Sequence, residues 1–74
     1  MEEHVTTVRA EIPATVWQVK VAVGDQVVEG QELIILESMK MEIPVTAPHD
    51  GPVQVLHVGP EDRVQEGDAL ADIG

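Results

Sequence analysis

The chain has no cysteine, no phenylalanine and no tyrosine, and a single tryptophan, Trp17. Without cysteine there is no disulfide and no thiolate zinc or iron–sulfur site. A reducing compartment is therefore compatible with the chain. Positive charge is equally scarce. Arg9, Lys20, Lys40 and Arg63 stand against 14 acids, for a net charge of −10. Binding to a phosphate backbone needs clustered Lys and Arg. Nucleic acid and anionic membrane are therefore excluded as expected partners, and the field favours solubility and basic partners. No apolar run approaches the ~20 residues of a membrane helix. No basic segment is followed by an apolar stretch, so no signal peptide is expected. The expected location is the cytoplasm.

What the chain does have is β-branched residues. It holds 13 Val and 5 Ile against 4 Leu, within an apolar content of 43%. That content is too high for disorder. Branched Cβ atoms restrict χ1 and pack well on a pleated surface. The expectation is an all-β protein. Its 74 residues allow one small domain, residues 1–74, with an ordered core over about residues 5–73 and a frayed Met1 to His4.

The best internal alignment sets two stretches 37 positions apart, half the length. Val16 meets Val53, Val21 meets Val58, and Ala10 meets Ala47. Asp25, Val27, Glu29, Gly30 and Leu33 meet Asp62, Val64, Glu66, Gly67 and Leu70. The shared pattern is Asp-x-Val-x-Glu-Gly-x-x-Leu. A duplicated β unit explains this, and two copies suggest a closed body with a pseudo-two-fold axis rather than a solenoid.

Each half reads as short strands and tight turns. Val5 to Arg9 and Val16 to Val23 are Val-rich and partly alternating. Gly24-Asp25 and Glu29-Gly30 are turn signals. Leu33 to Leu36 is a continuous apolar run, the mark of a strand with little polar face. Val53 to Val58, Val64 and Leu70 to Ile73 repeat the series. The prolines sit best at strand ends or edges and exclude long helices. About eight strands in two antiparallel sheets are expected, with no linker.

Between two apolar strands lies Glu37-Ser38-Met39-Lys40-Met41-Glu42. It should be a hairpin tip centred on Met39 and Lys40. The favoured two-residue turn wants Asn, Asp or Gly, because φ must be positive. Met and Lys are poor choices. Glu37 and Glu42 would face each other, which destabilises. Two large thioethers would stand in water. Local rules that fail together mark a functional site.

This segment resembles the biotin-attachment motif of biotinyl domains, the biotin carboxyl carrier family, whose signature is Met-Lys-Met at a hairpin tip. Ala47-Pro48 with Gly51 resembles the family's Ala-Pro-x-x-Gly. Gly24-Asp25-x-Val27-x-x-Gly30-x-x-Leu33 and its copy resemble the framing turns. The likeness covers about Val5 to Ile73. Ala14 departs from it, since the family often has Gly there. Val19 to Val27 matches Leu56 to Val64 without extra residues, so the thumb insertion of some acetyl-CoA carboxylase carriers has no room.

The resemblance implies a barrel-sandwich hybrid: a flattened barrel of two four-stranded antiparallel sheets. It implies that Lys40 is the attachment site for covalent biotin. A biotin protein ligase would offer biotinyl-adenylate to the Lys40 amine, which forms the amide. An ordinary lysine amine is protonated at neutral pH, so the ligase must supply deprotonation. Met39 and Met41 would be flanking recognition residues, and Glu37, Ser38 and Glu42 ligase contacts. A biotin carboxylase would load CO2 and a carboxyltransferase would pass it on, to an acyl-CoA among other acceptors. The chain would be a carrier, not an enzyme, and a monomer when isolated. Its initial Met and compact ends favour a free-standing subunit.

Other readings remain. Lys20 reads as a solvated face and Trp17 as core or rim packing. His4, His49 and His57 lack ligand spacing, so no metal is expected. A lipoyl domain has a similar fold and a hairpin lysine, but usually Asp before it and Ala after it. An unmodified β docking module is the third reading.

Overall fold

In the computed structural model of the chain, residues 5–74 are described; the expected fraying of Met1 to His4, and the metal reading of His4, lie outside them. Eight strands follow one another: β1 (Thr6–Arg9), β2 (Ala14–Val19), β3 (Gln26–Val27), β4 (Glu32–Ser38), β5 (Met41–Thr46), β6 (Gly51–Leu56), β7 (Arg63–Val64) and β8 (Ala69–Ile73). They form two four-stranded antiparallel sheets, in the orders β1-β8-β6-β3 and β5-β4-β2-β7. Among the described residues no helix is long and apolar enough to cross a membrane. The expected β2 is shorter than its apolar pattern. The strand stops at Val19, because Lys20 to Asp25 turns away towards β3.

The duplication is a rotation that exchanges the sheets. Adding 37 to β2 gives β6, and adding 37 to β3 gives β7. Strand pairs β2–β4 and β6–β8 carry matching bulges, at Trp17 and at Gln54. Backbone hydrogen bonds repeat with the same offset. The Lys20 N–H donates to the Leu33 carbonyl and the His57 N–H to that of Leu70. The Gly30 N–H donates to Ala47, and the Gly67 N–H to Ala10.

The repeated pattern residues now have physical roles. Asp25 accepts from the Ala22 N–H at 2.9 Å and Asp62 from the Gly59 N–H at 2.8 Å, each closing its own turn. A side-chain oxygen that satisfies a turn N–H is why Asp is favoured there. The repeated apolar residues fill the space between the sheets. Val16 with Val53, Val27 with Val64, and Leu33 with Leu70 are all in one buried cluster with Leu36 and Ile73. Each full burial of such a side chain stabilises by roughly 1.5–3 kcal/mol.

Where the copies differ, the backbone shows the reason. Gly24 has φ 97°, and its copy Glu61 has φ 75°. Glu61 therefore holds a left-handed conformation that glycine adopts freely. Glu61→Gly is expected to stabilise the fold by about 0.5–1 kcal/mol in urea unfolding, strain relief outweighing the added chain entropy. Ala14 is not among the positive-φ residues, so the departure from the family's Gly there carries no such strain. Its copy Gly51 does need glycine, since a Cβ would collide with the Gly74 carbonyl.

Asp72 faces Thr7 across β8 and β1, and its Oδ1 lies 3.1 Å from His57 Nε2. Hydrogen bonding from Thr7, then from His57, holds its carboxyl below the ordinary value of 3.8. A depressed carboxyl contributes stability above its unfolded value and loses it as pH falls through the folded value. Asp72→Asn is thus expected to melt below wild type at pH 6. The two curves should converge as pH drops beneath 3.8. A gap that stays constant with pH would contradict this.

Candidate functional site

Strands β4 and β5 form the longest hairpin of the molecule. Its register runs Ile35↔Pro44, Leu36↔Ile43, Glu37↔Glu42 and Ser38↔Met41, leaving Met39 and Lys40 as a two-residue turn. Met39 has φ 52° and Lys40 φ 65°. Positive φ at both centres is what a type I′ turn requires. Neither residue is glycine, asparagine or aspartate, so both pay the Cβ penalty of left-handed backbone.

The turn also exposes what chains usually hide. Met39 is 92% and Met41 64% solvent-exposed. Lys40 is exposed between them. Glu37 and Glu42 stand directly opposite each other and are exposed. Ser38 is half-buried and closes the turn with Met41. All six expected site residues thus lie together on one tip. Lys40 belongs to neither ion pair found among the described residues. Those pairs are Lys20–Glu32 at 3.0 Å and His57–Asp72 at 3.1 Å.

The tip stands on a rigid base. Leu36, two residues before it in β4, is buried in the core, and Ile43 packs against that core. Among the described residues, the opposite side of the pseudo-two-fold carries no second hairpin. Its equivalent pair, Thr6↔Ile73, belongs to the first and last strands. The lysine therefore projects from the end of the fold away from the paired first and last strands.

Chemically, the arrangement offers a primary amine on a stiff stalk, reachable from several sides. That suits a covalently attached group. The carboxylates near it, Glu37 and Glu42, are exposed. His49 lies beside Thr6 at 2.9 Å and His57 beside Asp72, on separate parts of the surface. Among the described residues no group of His, Asp and Glu could hold a metal ion. Lys20 lies just past β2 on the solvated surface, paired with Glu32. Trp17 is not in the core: it is 47% exposed.

One feature was not legible in the chain. A groove of about 260 Å³ runs between the edge strands β1 and β5, lined by Val8, Arg9, Ile12, Leu36, Ile43 and Val45. It forms where two strands of different sheets lie side by side, and no sequence spacing marks that.

The model of the family described as "Biotin-requiring enzyme" matches residues 5–73. The chain belongs to this biotin/lipoyl family. It is 52% identical over 66 residues to a biotinylated protein TB7.3 homolog of Mycobacterium leprae, covering 89% of this chain and 93% of that protein. It is 45% identical over 67 residues to a biotin/lipoyl attachment protein of Bacillus subtilis, covering 90% of this chain and 92% of that one. The crystal structure of Kluyveromyces lactis urea carboxylase contains a domain that superposes with a TM-score of 0.91 at 32% identity. That match covers all of this chain and 6% of the carboxylase. Within this biotin/lipoyl family, the all-β double sheet and the hairpin are the frame expected from the residues.

Proposed function

We propose that this chain is a biotin carboxyl carrier with biotin joined as an amide to Lys40. The observation that carries the reading is the strained, exposed Met39-Lys40 turn at the end of a rigid hairpin. Two left-handed residues with large side chains have no structural use there. They make sense if another protein must read Met39 and Met41 and reach the amine between them. When bound, biotin supplies a ring nitrogen that takes up CO2 at one catalytic centre and releases it at another. The chain's own part is to present the arm, keep it clear of the body, and carry it.

The partners are a biotin protein ligase, which acts on Lys40, then a biotin carboxylase and a carboxyltransferase. An acyl-CoA is one class of acceptor. The domain works as a monomer in the cytoplasm and moves as a whole between sites, because the arm alone is short. Biotin is favoured over lipoate by the methionines on both sides of Lys40. The Mycobacterium leprae relative, named as a biotinylated protein, supports the same choice.

The test is direct. The purified chain is incubated with a biotin protein ligase, biotin and ATP, and read by mass spectrometry and streptavidin blot. One biotin per chain supports the reading. Lipoate taken up with a lipoate ligase in its place would make the chain a lipoyl carrier. Uptake of neither group would leave a docking module.

A further inference from the structure

The duplication supplies an internal comparison for every surface position. On the outer face of the sheet that bears the hairpin, Gln18, Ile35 and Pro44 lie side by side across β2, β4 and β5. Trp17 occupies the bulge next to Gln18. Their rotational copies on the other sheet are Val55, Asp72 and Thr7, with Gln54 at the bulge. Trp17, Ile35 and Pro44 are thus replaced by Gln54, Asp72 and Thr7. Only the pair Gln18 and Val55 runs the other way. The core pairs, by contrast, stay apolar in both copies.

The polar copy shows that this backbone needs no tryptophan on its outer face. Yet Trp17 is 47% exposed there on β2, and Pro44 is exposed on the same face two strands away, on β5. Ile35, between them on β4, points away from the core cluster, as the alternation of a strand with buried Leu36 requires, but it is itself buried under its neighbours at 7% exposure. Half-exposed tryptophan is a common anchor of protein interfaces. The same alternation places Glu37 and Glu42 on this face, between the apolar row and the Met39-Lys40 turn.

We propose that this outer face is the docking surface for the biotin protein ligase, with Trp17 and Pro44 as its apolar contacts and Glu37 and Glu42 as its acidic rim. The inference rests on the carrier reading above. Reach selects the ligase. An unmodified lysine has only a four-carbon stem. The ligase must therefore bring its active site against the hairpin and the sheet that continues from it. The attached cofactor lengthens the arm, so the carboxylating centres need no such close approach. The complementary ligase surface is an apolar patch edged by Lys and Arg.

The test uses the substitutions that the protein itself carries in its other half, Trp17→Gln with Pro44→Thr. Ligase kinetics are measured with the whole chain as varied substrate, alongside thermal melting. The double variant is expected to melt close to wild type, raise KM about tenfold or more, and leave kcat unchanged. Trp17→Gln alone, should the pair disturb β5, is expected to give most of that rise. Gln54→Ala on the other face is expected to change neither constant. Wild-type KM in a folded double variant would overturn the docking surface while leaving the carrier reading intact. Failure of wild type to take biotin at all would overturn the carrier reading itself.

Discussion

Lys40→Arg is expected to take up no biotin under conditions that label wild type to completion. The argument is chemical before it is structural. Amide formation needs a nitrogen that can lose a proton and attack a carbonyl. A guanidinium stays charged in proteins. The substitution keeps the charge and roughly the length, and it changes no packing, since Lys40 is exposed and in neither described ion pair. The variant should therefore melt with wild type while staying blank on a streptavidin blot. Lys20, the only other lysine, offers an internal control. It is held by Glu32 on the flank of the sheet, with no turn presenting it. Labelled protein should also elute later from an anion exchanger, because the formal charge goes from −10 to −11 when one ammonium is lost. Biotin on Lys40→Arg would move the site to another residue.

Met39→Asn combined with Lys40→Gly is expected to make the domain more stable and useless as a carrier. Both residues sit at positive φ, 52° and 65°. Asn-Gly is the preferred pair for such a turn. Left-handed backbone costs an ordinary L-residue roughly 1–2 kcal/mol. Relief at both positions, less the extra freedom of glycine in the unfolded chain, should give about 1–3 kcal/mol. For a domain of this size each kcal/mol moves the midpoint by about 4–8 °C. A rise of roughly 4–24 °C is therefore expected in thermal melting. An unchanged or lower midpoint would mean that the turn stores no strain. A gain would show directly that stability is given up at the tip so that a lysine can be presented there.

Much of this was legible in the chain, and particular residues show why. Val16 and Val53, or Leu33 and Leu70, announced a core by recurring at one offset. Met39 and Lys40 announced an unusual exposed turn by violating turn chemistry at one place. Trp17 was less clear. The sequence left it as core or rim packing, and the bulge at that position turns it outward, 47% exposed. A bulge is an extra residue in a ladder, and alternation alone does not reveal it. Val16 to Val23 read as one long strand for a related reason. Apolar pattern persists through Lys20 to Val23, while β2 ends at Val19 and one last bond, from the Lys20 N–H to Leu33, precedes the turn.

The sequence by itself determined the β class, the duplication, the position of the hairpin and the identity of the presented lysine. These follow from side-chain type and spacing, which act locally. Only the tertiary structure decided which faces meet. It placed the two copies in different sheets, and so it set the first and last strands opposite the lysine. It opened the groove between β1 and β5. It left Trp17 and Pro44 exposed on one outer face, where the copy carries Gln54 and Thr7. Those are relations between strands distant in the chain, and they arise only when the buried valines and leucines of both halves close on one another.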